Sequence, residues 1–335
     1  MTRKPPTMAD VAKAAGVSPM TVSRAFKRDS SVSDATRAAI LQAAETLGYV
    51  FDSTASNLRS QRSDFVAVTV PSINNANFAE TVRGLSEGLR ARDLQILLGY
   101  TDYDMEEEER LIEQFLRRRP EAIVVTGGRH TDRARRMLEN AAIPVVETWD
   151  LPEDPIGHVV GFSNADAVRG MVDHFVRRGL TRLAFIGGDA QRDTRGTDRR
   201  RGFIRAMQDH GLEAHRLIDA GAPPISMAEG AMAMGLLLAR FPDTQAVICV
   251  SDLSAFGALT ECQRRAVPVP ERIEIAGFGD YDVGAVCVPA LSTINPFPRQ
   301  IGSRTAELIL SLLDAPQPPR VIEITPELIL RGSSA

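Results

Sequence analysis

Two patterns of apolar and polar positions divide this chain. Along residues 1–49 apolar positions recur at helical spacing in short blocks, each opened by a hydroxyl residue and closed by glycine or a polar turn. Thr7-Met8-Ala9-Asp10 reads as a capping box into a helix through Val11, Ala12 and Ala15, which Gly16 breaks. Ser18 followed by Pro19 starts a second helix, with a hydroxyl cap and a proline at the first helical position, where a missing N–H costs nothing. Ser33 opens a third, whose Ile40, Leu41, Ala44 and Leu47 recur at helical spacing before Gly48 stops it. The pattern predicts a small helix-turn-helix head.

From Phe65 onward the period changes. Short apolar runs at Phe65–Val70, Leu94–Leu98, Ala122–Thr126, Pro144–Glu147, Leu183–Ile186, Ala246–Val250 and Ile273–Phe278 alternate with helical stretches. Strands separated by helices predict parallel sheets with crossover connections, an α/β body of a different class from the all-α head.

Charge sharpens the division. Residues 1–62 hold 9 Lys and Arg against 5 Asp and Glu, a balance of +4 inside a chain of net −4, so the remainder carries −8. A basic end on an acidic body suits a nucleic-acid-binding head. In helix-turn-helix heads the second helix enters the major groove. Here Pro19, Met20 and Arg24 fall on its outward face, while Val17, Val22 and Phe26 are expected to pack inward. Arg24 is the expected base reader, since a guanidinium matches the paired acceptors of guanine; Met20 and Pro19 offer apolar contact, and Ser18, Thr21 and Ser23 are phosphate candidates.

Other classes find less support. No apolar run reaches the roughly 18 residues of a membrane span, and no signal-peptide pattern opens the chain, so a cytoplasmic protein without membrane contact is expected. Cys249, Cys262 and Cys287 show no CxxC spacing, and the five histidines show no metal-ligand spacing, so neither disulfide nor metal is expected. Phe185-Ile186-Gly187-Gly188 follows a strand as a dehydrogenase phosphate loop would, yet it completes no GxGxxG or GxxxxGK[ST] motif. No cofactor and no catalysis are expected.

The stretch Met8-Ala9-Asp10-Val11-Ala12-Lys13-Ala14-Ala15-Gly16-Val17-Ser18-Pro19-Met20-Thr21-Val22-Ser23-Arg24, continued by Leu47-Gly48-Tyr49 and Ala55-Ser56-Asn57-Leu58, resembles the head and hinge of the LacI family of transcription repressors. The resemblance implies a head over 1–49, a hinge over 50–62, and a two-lobed, periplasmic-binding-protein-like effector and dimerisation domain over 63–335. It implies that Leu58 is an apolar wedge for the minor groove. Lys27 and Phe51 depart from the family's usual asparagine and proline. By analogy the lobes are about 63–162 with 293–322, and 163–290 with 323–335. A homodimer would read two half-sites of double-stranded operator DNA about one helical turn apart, with a tetramer left open.

In open parallel sheets ligands collect at the carboxyl ends of strands. Those ends supply Ser72, Asn74, His130, Glu147, Thr148, Ser251, Asp252, Asp280 and Asp282, among the aromatics Phe78, Trp149 and Phe278, a mixture suited to a polyhydroxylated ligand. The resemblance also places an effector-binding arginine at Arg199, three residues before Gly202; its two-point fork makes it the expected partner of an acidic ligand group, with its arginine neighbours solvated. Val160–Asn164, Glu261–Arg264 and Ala276–Gly284 resemble the gluconate-operon repressors of the family, and Gly279 stands where many sugar-binding relatives carry a carboxylate. This implies a sugar acid, gluconate or a relative, as effector. A regulator of another sugar, a corepressor-dependent regulator and a sugar-binding transport protein remain as alternatives, the last disfavoured by the capped head.

Overall fold

The structure, a computed structural model, describes residues 5–26, 31–51, 63–188 and 192–334. It comprises two compact units, Met1–Arg62 and Ser63–Ala335.

In the first unit α1 (Met8–Ala15) begins with the reciprocal Thr7–Asp10 capping box and ends on Gly16 at φ 66°. That left-handed turn, open to glycine at no steric cost, redirects the chain to the Ser18 cap of α2 (Pro19–Ala25). The Ser33 hydroxyl accepts from the Thr36 amide to open α3 (Asp34–Leu47), and Gly48 closes it at φ 67°. Val11, Ala12, Val22, Ala25, Ile40 and Ala44 form the core, with Val17, Phe26 and Tyr49 packed against it. Leu41 and Leu47, expected in the apolar stripe of α3, are exposed instead, because so small a core reaches only one narrow face of that helix. Phe51 stacks on Phe26 at 4.8 Å between ring centroids. Leu58, Lys27 and the expected hinge contacts at 55–58 lie outside the described residues.

The second unit is built on two parallel sheets. The first contains β1 (Phe65–Val70), β2 (Gln95–Tyr100), β3 (Ala122–Thr126), β4 (Val145–Thr148), β5 (His158–Gly161) and β11 (Val321–Glu323), in the order β11-β5-β4-β3-β1-β2. The second has the order β7-β6-β8-β9, from β6 (Leu183–Gly187), β7 (Leu217–Asp219), β8 (Ala246–Cys249) and β9 (Glu274–Ala276). An antiparallel ribbon of β10 (Thr293–Asn295) and β12 (Glu327–Ile329) lies where the chain passes between the lobes. The central strands are buried almost continuously, as strands covered on both faces must be. The apolar runs at 94–98 and 273–278 shift or shorten to β2 and β9, while the short strands β5, β7, β10, β11 and β12 are too brief to stand out as runs.

Helices cover both sheets. In the first lobe α4 (Ala76–Leu89) packs on α12 (Pro298–Asp314), while α5 (Met105–Arg117) and α6 (Asp132–Glu139) cover the opposite face. In the second lobe α7 (Asn164–Arg177) pairs with α8 (Thr194–Asp209), and α9 (Met227–Arg240) with α10 (Asp252–Arg264). A short helix, α11 (Asp282–Val286), follows β9. One apolar core runs through both lobes, from Val66, Val68 and Phe78 through Phe162 to Phe185, Phe203 and Phe278. Cys249 and Cys262 are buried in the second lobe and Cys287 is half-buried; all three are free thiols. No helix among the described residues is long and apolar enough to cross a membrane.

A candidate ligand pocket and a candidate DNA-contacting face

The carboxyl ends of both sheets converge on a cavity of about 190 Å³. Its aromatic side is a relay of rings from one lobe to the other. Phe78 meets Trp149 edge-on at 5.3 Å, Trp149 meets Phe162 at 5.8 Å, and Phe162 stacks on Phe278 at 6.0 Å. Trp149 sits at φ 69°, a conformation that costs a bulky residue of order 1–3 kcal/mol. Local bonds hold it there: its carbonyl accepts from Asn164 Nδ2 at 2.8 Å, and its indole N–H donates to Thr81 Oγ1 at 3.1 Å.

The polar wall draws on both lobes. Ser72, Asn74, Asn75, Asn77 and Tyr103 come from the first, and Asp193, Arg195, Arg199, Ser226, Ser251 and Tyr281 from the second. The Tyr281 hydroxyl donates to Asn75 Oδ1 at 2.6 Å, a direct bond across the cleft. Burial pushes the phenols of Tyr103 and Tyr281 upward, so both remain neutral hydroxyls at ordinary pH. Arg199 lies over Phe278 with its guanidinium carbon 3.5 Å from the ring centroid. Its Nε donates to Asn164 Oδ1 at 3.0 Å and its Nη1 to the Val250 carbonyl at 2.9 Å. Burial lowers its pKa to about 10, which leaves it charged at neutral pH. Two guanidinium groups against the single carboxylate of Asp193 give the lining a net positive charge.

On the first unit, Ser18, Pro19, Met20 and Arg24 are exposed and Thr21 and Ser23 half-buried. Met20 and Arg24 stand one turn apart on the face of α2 opposite Val22 and Ala25. Ser18 and Thr21 bond to each other, hydroxyl to hydroxyl, at 2.9 Å. This is the arrangement in which a helix presents one long cation and short hydroxyls to DNA.

Residues 7–52 match the family described as bacterial regulatory proteins, lacI family, and residues 172–334 match the periplasmic binding protein-like domain. The chain is 40% identical over 308 residues to the HTH-type transcriptional regulator GntR of Pseudomonas aeruginosa, covering 92% of this chain and 89% of that protein. It belongs to the lacI family. It is also 32% identical to the HTH-type transcriptional regulator GntR of Escherichia coli K12, over 99% of this chain and 97% of that protein. A solved structure of a LacI-family transcriptional regulator from Silicibacter pomeroyi superposes with a TM-score of 0.90 at 33% identity, covering 98% of this chain and 99% of that one. The protein is a DNA-binding transcriptional regulator of this family, and these relatives are regulators rather than enzymes.

Within this lacI-family body, Ser72, Asn74, Phe78, Arg199 and Ser251 line the cavity, while His130, Glu147, Thr148, Asp252 and Asp280 do not. Strand alternation explains part of the difference, because successive side chains of β4 point to opposite faces. Glu147 turns to the outer face of the first sheet, where His130 Nδ1 meets Glu108 Oε2 at 2.7 Å and His130 Nε2 faces Glu147 Oε1 at 3.7 Å. Burial alone would depress this imidazole, but the two carboxylates outweigh it and raise its pKa to about 9. Thr148 donates to the Val125 carbonyl at 3.1 Å. Asp252 lies beneath the cavity, accepting from the Tyr281 amide at 2.7 Å and the Thr293 hydroxyl at 2.6 Å; burial lifts it to about 6. Asp280 turns away to Arg331 at 2.6 Å and Asn295 at 3.0 Å, and the exposed-side Asp282 opens α11.

Other expectations change as well. Arg200 donates to the Gly188 carbonyl and Arg201 pairs with Asp198, so neither is simply solvated. At Gly279, with φ 133°, a Cβ would lie 2.4 Å from the Tyr281 ring and 2.8 Å from Asn77 Nδ2. A carboxylate side chain has no space there, and Tyr281 occupies that side of the cavity. Asn75, Asn77, Tyr103, Asp193, Arg195, Ser226 and Tyr281 escaped the sequence reading because they come from loops and helix starts rather than from the first residues after strands. Only Arg195 carried a signal, its spacing of one helical turn from Arg199. Among the described residues no group of His, Cys, Asp and Glu has metal-binding geometry.

Proposed function

We propose that this protein is a homodimeric repressor that leaves its operator when a small sugar acid, gluconate or a close chemical relative, occupies the cleft. The observation that carries this reading is the lining of the cavity. Amides and hydroxyls suit a polyol, aromatic faces suit its carbon skeleton, and the net positive charge suits one carboxylate. Bound between the lobes, such a ligand fixes their mutual orientation. Repression is relieved when that orientation disfavours paired heads on DNA. Moving a repressor from almost fully bound to almost fully released requires the ligand to prefer the released state by about 10⁴-fold, roughly 5.5 kcal/mol. Contacts to both lobes are the means by which a small molecule acquires such a preference.

The dimer finds support in an apolar face on the second lobe. Met227, Met232 and Leu236 of α9 are exposed beside Phe256 of α10, in a groove rimmed by Glu261, Arg264 and Arg265. A second copy that buries this groove would bring two heads to a two-fold operator.

The test is operator binding by the purified chain at fixed salt, titrated with D-gluconate, neutral D-glucose and a purine. Release by gluconate alone supports the reading. Tightened binding would make the ligand a corepressor, and indifference to every sugar acid would discard this effector class while leaving the regulator intact.

A further inference from the structure

We propose that Arg195, rather than Arg199, receives the carboxylate of the ligand, and that it does so with its guanidinium reaching across to the rings of the first lobe, so that ligand charge holds the cleft together. The inference rests on the sugar-acid reading above and names the residue that discriminates acid from neutral sugar.

Arg195 is only 6% exposed, yet among the described residues it forms no ion pair. Among the described residues its one hydrogen bond is long, Nη1 to the Thr126 carbonyl at 3.4 Å. A buried cation with no direct ion pair is costly unless something supplies one; the Asp150 carboxylate acts on Arg195 only through space, and Arg195 lines the ligand cavity. The other cations at the cleft are already engaged. Arg129 pairs with Asp198 at 2.8 Å, Arg192 bonds the Asp102 carbonyl at 2.6 Å, and Arg199 has committed Nε and Nη1 to Asn164 and Val250. Arg199 has thus spent two of its five N–H donors on the fold, its Nε edge included, whereas Arg195 spends one and keeps the Nε–Nη2 edge whole for a two-point contact. Asp193 borders the same cavity but spends Oδ1 on the Gly196 amide and forms no ion pair with either arginine.

The seat of Arg195 gives this contact its consequence. Its backbone belongs to α8 of the second lobe, while its guanidinium lies 5.5 Å from the Phe78 ring and 5.9 Å from the Tyr103 ring, both in the first. Gly127 makes room for it, since a Cβ there would come within 3.0 Å of Nη1. The aromatic faces soften the burial of charge but accept no N–H bonds in its plane. A carboxylate bound to Arg195 thus stabilises a side chain that already spans the cleft.

The experiment is calorimetric titration of the full chain with D-gluconate and with D-glucitol, its neutral polyol counterpart, for wild type, Arg195→Gln, Arg195→Lys and Arg199→Gln. Wild type should prefer the acid by on the order of 100-fold. Arg195→Gln should bring that ratio near one by weakening the acid alone, Arg195→Lys should restore part of it, and Arg199→Gln should weaken acid and polyol alike. A cooperative thermal melt checks that each variant is folded; if Arg195→Gln fails that check, the Lys variant decides, with a predicted drop of about tenfold in the ratio. Retention of the wild-type ratio in the Arg195 variants, or its collapse in Arg199→Gln, overturns the assignment while the sugar-acid reading stands. Wild type that binds neither compound overturns that reading and the assignment with it.

Discussion

Arg24 is an exposed cation on a helix whose other face is buried, so its effect on DNA binding is separable from folding. Replacing it by alanine should cost about 1–3 kcal/mol of discrimination at one operator base pair and little at the others, which a panel of single-base operator variants measures directly. The same degree of discrimination at every position would remove Arg24 as a base reader. His130 makes the opposite case, a buried group whose charge acts on the fold. The folded protein keeps its proton to about pH 9, well above the ordinary histidine value of 6.5. The contribution of the His130–Glu108–Glu147 cluster is therefore complete below about pH 6.5 and is lost as pH rises through about 9, roughly 3 kcal/mol at most. His130→Gln should flatten the dependence of Tm on pH across that window, as read by calorimetry; an unchanged slope would mean that the imidazole is not held protonated. Arg24 was legible because helical periodicity assigns faces, whereas His130 was placed with the ligand because proximity to a strand end says nothing of which face a loop residue turns to.

At the scale of elements, the caps were the most readable feature. Thr7, Ser18 and Ser33 each satisfy a free amide at a helix start, and these bonds form within three residues, so no distant part of the chain is needed to establish them. Helix α8 depends on distant structure. It carries Asp193 at its cap, Arg195 and Arg199 one turn apart, and Gly202 at its crossing with α7. A Cβ on Gly202 would lie 1.9 Å from the Ala165 carbonyl oxygen, a clash with backbone that cannot swing aside. Gly202→Ala should cost about 1–3 kcal/mol of stability, lowering Tm by roughly 5 °C. Because the helix must shift to relieve the clash, ligand affinity should fall with it, although residue 202 is not part of the cavity lining. A calorimetric melt and a ligand titration of the same variant separate the two effects, and wild-type values in both would show that the crossing is looser than the geometry requires.

For the whole molecule, the proposed dimer makes a claim about the exposed face of α9. Met232 is 67% and Leu236 52% exposed on α9, four residues apart on one face. The double substitution Met232→Glu with Leu236→Glu should shift the protein to monomer in sedimentation and weaken operator binding by at least on the order of 100-fold, since a dimer gains its second half-site at high effective concentration. Unchanged sedimentation would place the interface elsewhere. The sequence by itself determined the class of each unit, the three capped helices of the head, the outward face of α2 and the central strands, because capping, helical periodicity and continuous apolar runs are local properties. The tertiary structure alone decided which polar groups share the cavity. It turned Glu147 and Asp280 away from it, brought Tyr281 to Asn75 across the cleft, and left Arg195 buried beside Phe78 and Tyr103. Those relations join residues distant in sequence, and they are set by strand order and by which face each loop leaves, neither of which a local pattern encodes.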